Sequence, residues 1–321
     1  MFRVISKIFL FITLILISIT GLNLKVQAEE NDNVDVYSPE IETITETIYL
    51  EISNNYTKQI ATETFEDIRE KAQASYDELN ENNINYSESK AQKESNFTQN
   101  SATPSSITSY VEIDRVTTYN SVTNNINLKS TIKSIIGSTP TIILTGNHLY
   151  SSKTLEGSYS KVTGFDVEWT GSNIYVGKSH SIDYKVTSSN FWITKGTGVT
   201  GYAGIGTKST SNQSDPVLTN KKASIYPTVY NSHARTYMPR PTQANMSVVP
   251  LESRVPWDNT LRGSYISAYI GSYGSPSWDW AAYDIHHVIP REYGGTNQFS
   301  NLFPVPRTVH QQTINPWWSA Y

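Results

Sequence analysis

Three of the six histidines in the chain, His286, His287 and His310, fall within 25 residues near its C-terminal end, with Asp284, Arg291 and Asn301 among them. Imidazole titrates near neutrality and is the commonest nitrogen ligand for metals, so this clustering points to metal binding or acid–base work. The chain of 321 residues contains no cysteine. That excludes a thiolate zinc site, a cysteine nucleophile and any disulfide staple. Phosphodiester hydrolysis is one chemistry that fits. It needs a base to take a proton from water and a cation to stabilise the charge on the leaving oxygen.

The local pattern around these residues suggests how they are held. Tyr283 to Ile289 reads as a short strand, and Gly294-Gly295 turns the chain. Leu302 to Val305 reads as a second strand. Pro306 suits the first turn of a helix that runs to about Ile314 and stops before Pro316. Successive strand residues face opposite ways, so His286 and His287 must have different duties. One can face the helix and share a metal with His310, while the other faces a substrate groove.

This tail resembles the HNH, or ββα-metal, nuclease family. His286-His287-Val288-Ile289-Pro290 matches the opening signature, Gly294-Gly295 the turn, Asn301-Leu302 the central asparagine and His310 the closing helical histidine. The resemblance covers about residues 283–321 and is similar in placement to the cytotoxic domains of nuclease bacteriocins. It implies that His286 and His310 are metal ligands and His287 the general base. Asn301 would orient the base and hold the loop, and His287 would donate its other N–H to a backbone carbonyl. It further implies one divalent ion, Mg²⁺, Mn²⁺ or Zn²⁺. Ile314 stands where some members carry a second helical histidine, which leaves an open coordination sphere suited to a hard cation. Arg291 is a candidate phosphate contact, and Asp284 a candidate third ligand or support.

The preceding segments must carry and deliver this tail. Residues 1–28 read as a secretory signal peptide: Arg3 and Lys7, an apolar run from Ile8 to Ile19, then Val26-Gln27-Ala28. No later segment has the length and apolarity to span a bilayer, so the expected location is extracellular. The wealth of Asn, Ser, Thr, Ile and Tyr suggests a low-GC Gram-positive source. Residues 29–109 are acidic, then linker-like. Glu29 to Asn100 holds 17 acidic and 5 basic residues, whereas Ser101 onward holds 12 acidic and 17 basic. In the acidic part Ile41, Ile44, Ile48, Ile52, Tyr56, Ile60, Phe65, Ile68, Ala72, Tyr76 and Leu79 recur at helical steps, which predicts a long helix or helix pair. Such a helix is either a solvated amphipathic element or a pro-segment shielding a basic domain. Residues 110–205 contain short β-branched and aromatic runs between Gly, Asn and Ser turns, which predicts an antiparallel sandwich. Residues 206–224 read as a second linker, and 225–321 as the terminal domain, irregular at first because of its prolines.

The expected architecture is therefore α+β and multidomain: an acidic helical front, a central β-sandwich-like domain and a C-terminal ββα-metal domain. The expected function is a secreted nuclease cutting DNA or RNA, acting as a bacteriocin-like antibacterial toxin. Its partners would be nucleic acid, an immunity protein in the producer and a surface receptor for the β domain. The competing reading is a non-enzymatic antibacterial or surface-binding protein whose β domain acts and whose tail is a scaffold. Trp317, Trp318 and Tyr321 read as core anchors, and His148, His180 and His233 as isolated surface or turn residues.

Overall fold

The computed structural model describes residues 34–37, 40–53, 63–80, 83–86 and 107–321. The expected signal peptide lies outside the described residues. Within them the protein is α+β, and every strand pairing is antiparallel. Two sheets form the centre. One has four strands in the order β2 (Ile41–Ser53), β4 (Ile107–Asn120), β5 (Asn125–Ile136) and β8 (Ser179–Lys185). The other runs β10 (Gly206–Gln213), β9 (Asn190–Tyr202), β6 (Ile142–Ser152), β7 (Ser158–Thr170) and β3 (Asn83–Asn85), with β11 (Val217–Thr219) also paired to β9.

The sheets pack face to face. Ile48, Leu50, Val111, Ile113 and Ile132 of the first meet Ile143 and Trp169 of the second. The opposite face of the larger sheet is covered as well. At one end α1 (Phe65–Leu79) lays Ile68, Ala72 and Tyr76 on Ile142, Leu144 and Val199. At the other, Tyr150, Tyr159, Phe191 and Ile193 pack against the C-terminal region. A sheet covered on both sides loses the in–out alternation of a half-exposed one. Accordingly β9 is buried at all 13 positions.

Three expectations are corrected. Ile41–Ser53 is a strand, not the front half of a helix. Ile44, Ile48 and Ile52 are spaced by four, which fits period 2 as well as period 3.6, and the Ile- and Thr-rich composition favours the strand. The helix is confined to Phe65–Leu79, where Thr64 and Asp67 form a capping box. Residues 206–224 are not a linker, because β10 and β11 both pair with β9. Their Ser and Thr side chains are tolerable there since the backbone supplies the bonding. The stretch after Ile225 is less irregular than its prolines suggest. β12 (Thr228–Asn231) pairs with β1 (Val34–Tyr37) and β13 (Thr236–Tyr237), and α2 (Asn259–Tyr273) follows an Asp258 cap.

The tail forms β14 (Tyr283–His287) and β15 (Leu302–Pro306), an antiparallel pair with Tyr283 opposite Pro306 and His287 opposite Leu302. A helix, α3, follows in three continuous segments: Arg307–Val309, a π turn at His310–Ile314, and Asn315–Ser319. Pro316 does not end it. It lies inside the continuous helix immediately after the π turn, where the backbone bonding is already locally rearranged.

Candidate active site

The register of β14 separates the two histidines. His286 is 4% exposed and turns toward α3, where its Nδ1 lies 3.2 Å from His310 Nε2. His287 is also buried and meets a different partner, Asn297, with Nε2 2.9 Å from Oδ1. The opposite orientation expected from strand geometry is thus present in the contacts.

Hydrogen bonding fixes the proton positions. His310 Nδ1 stands 3.1 Å from Asp284 Oδ2, and Arg307 Nε donates to Asp284 Oδ1 at 3.1 Å. A carboxylate only accepts, so His310 carries its proton on Nδ1 and presents the Nε2 lone pair to His286. Asp284 therefore sits behind His310 as its support. Asn297 Nδ2 donates to the Pro256 carbonyl at 2.8 Å, which turns Oδ1 toward His287. His287 must then donate from Nε2, leaving Nδ1 as its lone-pair nitrogen.

Asn301 holds the intervening loop rather than His287. Its Oδ1 accepts from Ile289 N at 2.9 Å, and its Nδ2 donates to Ile289 O at 3.1 Å and Thr296 O at 2.8 Å. Gly294 takes φ +82°, and a Cβ on Gly295 would stand 1.7 Å from the Ile289 carbonyl oxygen, so both glycines are required by the turn. The expected backbone partner of His287 is replaced by the Asn297 side chain. Asn297 carried no role in the sequence reading. Its signal, an asparagine two residues past the Gly-Gly turn, is too common to single out.

Asp284, His286, His287 and His310 line a cleft of about 530 Å³ together with Trp257, Arg262, Arg291 and Tyr293. Trp257 meets the His287 ring edge to face at 4.8 Å. Arg262, on α2, is braced by the carbonyls of Trp280 and Tyr283. Burial, with the charges of His310 and His287, pushes His286 well below the ordinary histidine value. Burial also lowers His287, helped by Arg291 and His310 and opposed by the bond to Asn297. Both rings are therefore neutral at pH 7.

No protein-family model, no curated protein and no solved structure matches the chain significantly.

The fit of a cation can be judged from the nitrogens themselves. Two nitrogens each about 2.0–2.1 Å from one ion lie roughly 2.8–3.0 Å apart at octahedral angles and roughly 3.3–3.4 Å apart at tetrahedral ones. The 3.2 Å between His286 Nδ1 and His310 Nε2 lies between the two, close to the tetrahedral separation. His286 Nε2 is a buried polar atom with no protein partner. Among the described residues no group of three or more His, Asp or Glu side chains is gathered to hold a metal. The pair thus fits an ion bound by two protein ligands, with other positions open to water and substrate.

Elsewhere, Trp317 and Trp318 are buried in the core as expected. His148 is not a surface residue. It is buried in β6, with Nε2 2.9 Å from Asp166 Oδ1. His180 packs on Phe165, and His233 reaches the Gly274 carbonyl.

Proposed function

We propose that the chain is a metal-dependent nuclease of the HNH type, hydrolysing phosphodiester bonds in DNA or RNA. The observation that carries this reading is a pair of independently anchored imidazole systems in one cleft. Asp284 orients His310 toward His286, and Asn297 orients His287.

His287 accepts the proton of the attacking water at Nδ1, because Nε2–H is committed to Asn297. The water oxygen bonds to phosphorus, the bond to the leaving oxygen breaks, and solvent returns a proton to that oxygen. Arg291 and Arg262 line the cleft and offer charge to the phosphate. A divalent cation held by His286 and His310 would stabilise the charge on the departing oxygen. Backbone contacts would dominate, so little base specificity is expected. An exported chain with this activity would act as a bacteriocin-like toxin or a scavenging nuclease. As a toxin it would require an immunity protein in its producer.

The test is direct. Full-length protein is incubated with plasmid DNA and with RNA in Mg²⁺, Mn²⁺ or Zn²⁺. Cleavage should disappear in EDTA and fall roughly 10²–10⁴-fold in His287→Ala. Cleavage that survives both treatments, or its absence with every ion and substrate, overturns the reading.

A further inference from the structure

The loop that presents Asn297 to His287 also carries an exposed aromatic side chain on its other flank. Phe299, two residues on, is 38% exposed and belongs to the short turn Phe299–Asn301. Its ring lies nearly parallel to Tyr265 (5.2 Å, 26°) and to Tyr273 (6.4 Å, 25°), and Tyr273 is 42% exposed. Both tyrosines stand on α2, the helix that also sends Arg262 into the cleft. The shelf thus shares a helix with Arg262 of the cleft and a loop with Asn297, the partner of His287, although its own rings do not line the cleft.

Resting on the nuclease reading, we infer that the Phe299–Tyr273 shelf stacks unpaired bases, so that the cleft acts on single-stranded nucleic acid. Exposed flat rings are a means by which proteins hold single strands without reading sequence, since every base has a π face, and here the cleft beside them offers Arg262 and Arg291 along with Asp284 and Glu292. In a duplex the bases are already stacked on one another and reach no such surface. Charge agrees with this occupant. Over its 15 residues α2 has one charged side chain, Arg262, and no carboxylate to repel a phosphate. The shelf is also anchored. Tyr265 is buried beneath Phe299, its hydroxyl 3.5 Å from the Leu302 carbonyl, so the surface is held in place before a strand arrives.

The experiment uses the full chain and a fluorescein-labelled mixed-sequence oligonucleotide, either alone or annealed to its complement. Binding is read by anisotropy in EDTA, and cleavage of the same strands in Mg²⁺ or Mn²⁺. The single strand should bind at least ~10-fold more tightly than the duplex. Phe299→Ala and Tyr273→Ala should each remove most of that difference, and Phe299→Tyr should keep it. The thermal midpoint of each variant reports folding, and Tyr273, at the exposed end of α2, is the safer position. Equal affinity for both forms in the unaltered protein overturns the inference. So does a shelf variant that leaves the difference between the two forms intact, as would happen if the shelf received a protein partner instead. If single strands bind through the shelf but no ion supports cleavage, the nuclease reading fails and the shelf stands. If duplex is cut as fast as single strand, the shelf fails and the nuclease reading stands.

Discussion

The contact between His287 and Asn297 has a consequence for pH dependence. Burial holds His287 below its ordinary value, while the Asn297 bond acts in the opposite sense by favouring the protonated ring. The base is active when neutral, so the acid limb of the kcat/KM profile should fall below pH ~6.5. Asn297→Ala removes the upward contribution and should move that limb to still lower pH, while cutting kcat about tenfold or more. A limb that stays in place or moves up would show that Asn297 does not position the base. The His286–His310 pair is checked without catalysis. Mn²⁺ at ~100 times its Kd should stabilise the fold by about 2.7 kcal/mol, seen as a raised Tm. That rise should be absent in His310→Ala.

At the scale of elements, the connection between β14 and β15 depends on one side chain. Asn301 makes three hydrogen bonds that clamp the Ile289 backbone to the Thr296 carbonyl. At ~1 kcal/mol each, Asn301→Ala should cost about 3 kcal/mol and shift the urea midpoint without changing the m-value. Gly295→Ala should be worse, since its methyl would overlap the Ile289 carbonyl and nothing nearby can yield. α3 is also specialised. Its π turn starts at His310 and widens the helix where the ring must reach His286. Strand, turn, strand and first helical turn were legible because each has a local signature. The π turn was not, because Pro316 read locally is a stop. Nor was α2, whose Gly, Ser and Tyr content resembles that of a loop.

Across the whole molecule, the C-terminal region and the sandwich share one core. Phe191 and Ile193 of β9 pack in the same cluster as Val305, Ile314 and Trp317, and Trp317 Nε1 donates to the Ser224 carbonyl. The division expected near residue 225 is therefore crossed by continuous packing. Trp317→Ala should destabilise by roughly 3–5 kcal/mol, with near-UV dichroism and cleavage lost in a single transition. A fragment starting at residue 225 would expose that apolar face and should not fold alone. If it does fold, with a sharp thermal transition, the shared core is dispensable. The acidic front has a structural role in the same frame. Among the described residues it contributes β1, β2 and β3 to the sheets and α1 to the face of one of them, and nothing to the cleft lining.

Sequence alone singled out His286, His287, Asn301 and His310 as candidates and determined the opposite orientation of the first two. Those features follow from residue type and the period of a strand, which are local. The same holds for an antiparallel β-rich centre, announced by β-branched runs and turn residues. Tertiary structure decided that Ile41–Ser53 is a strand, that Gly206–Gln213 and Val217–Thr219 belong to a sheet, that Asp284 backs His310, and that Asn297 meets His287. Each of those depends on a partner distant in the chain or reached only by folding the loop: β4, β9, α3 and the Pro256 carbonyl. Local periodicity carries no information about which distant backbone will supply the missing hydrogen bonds.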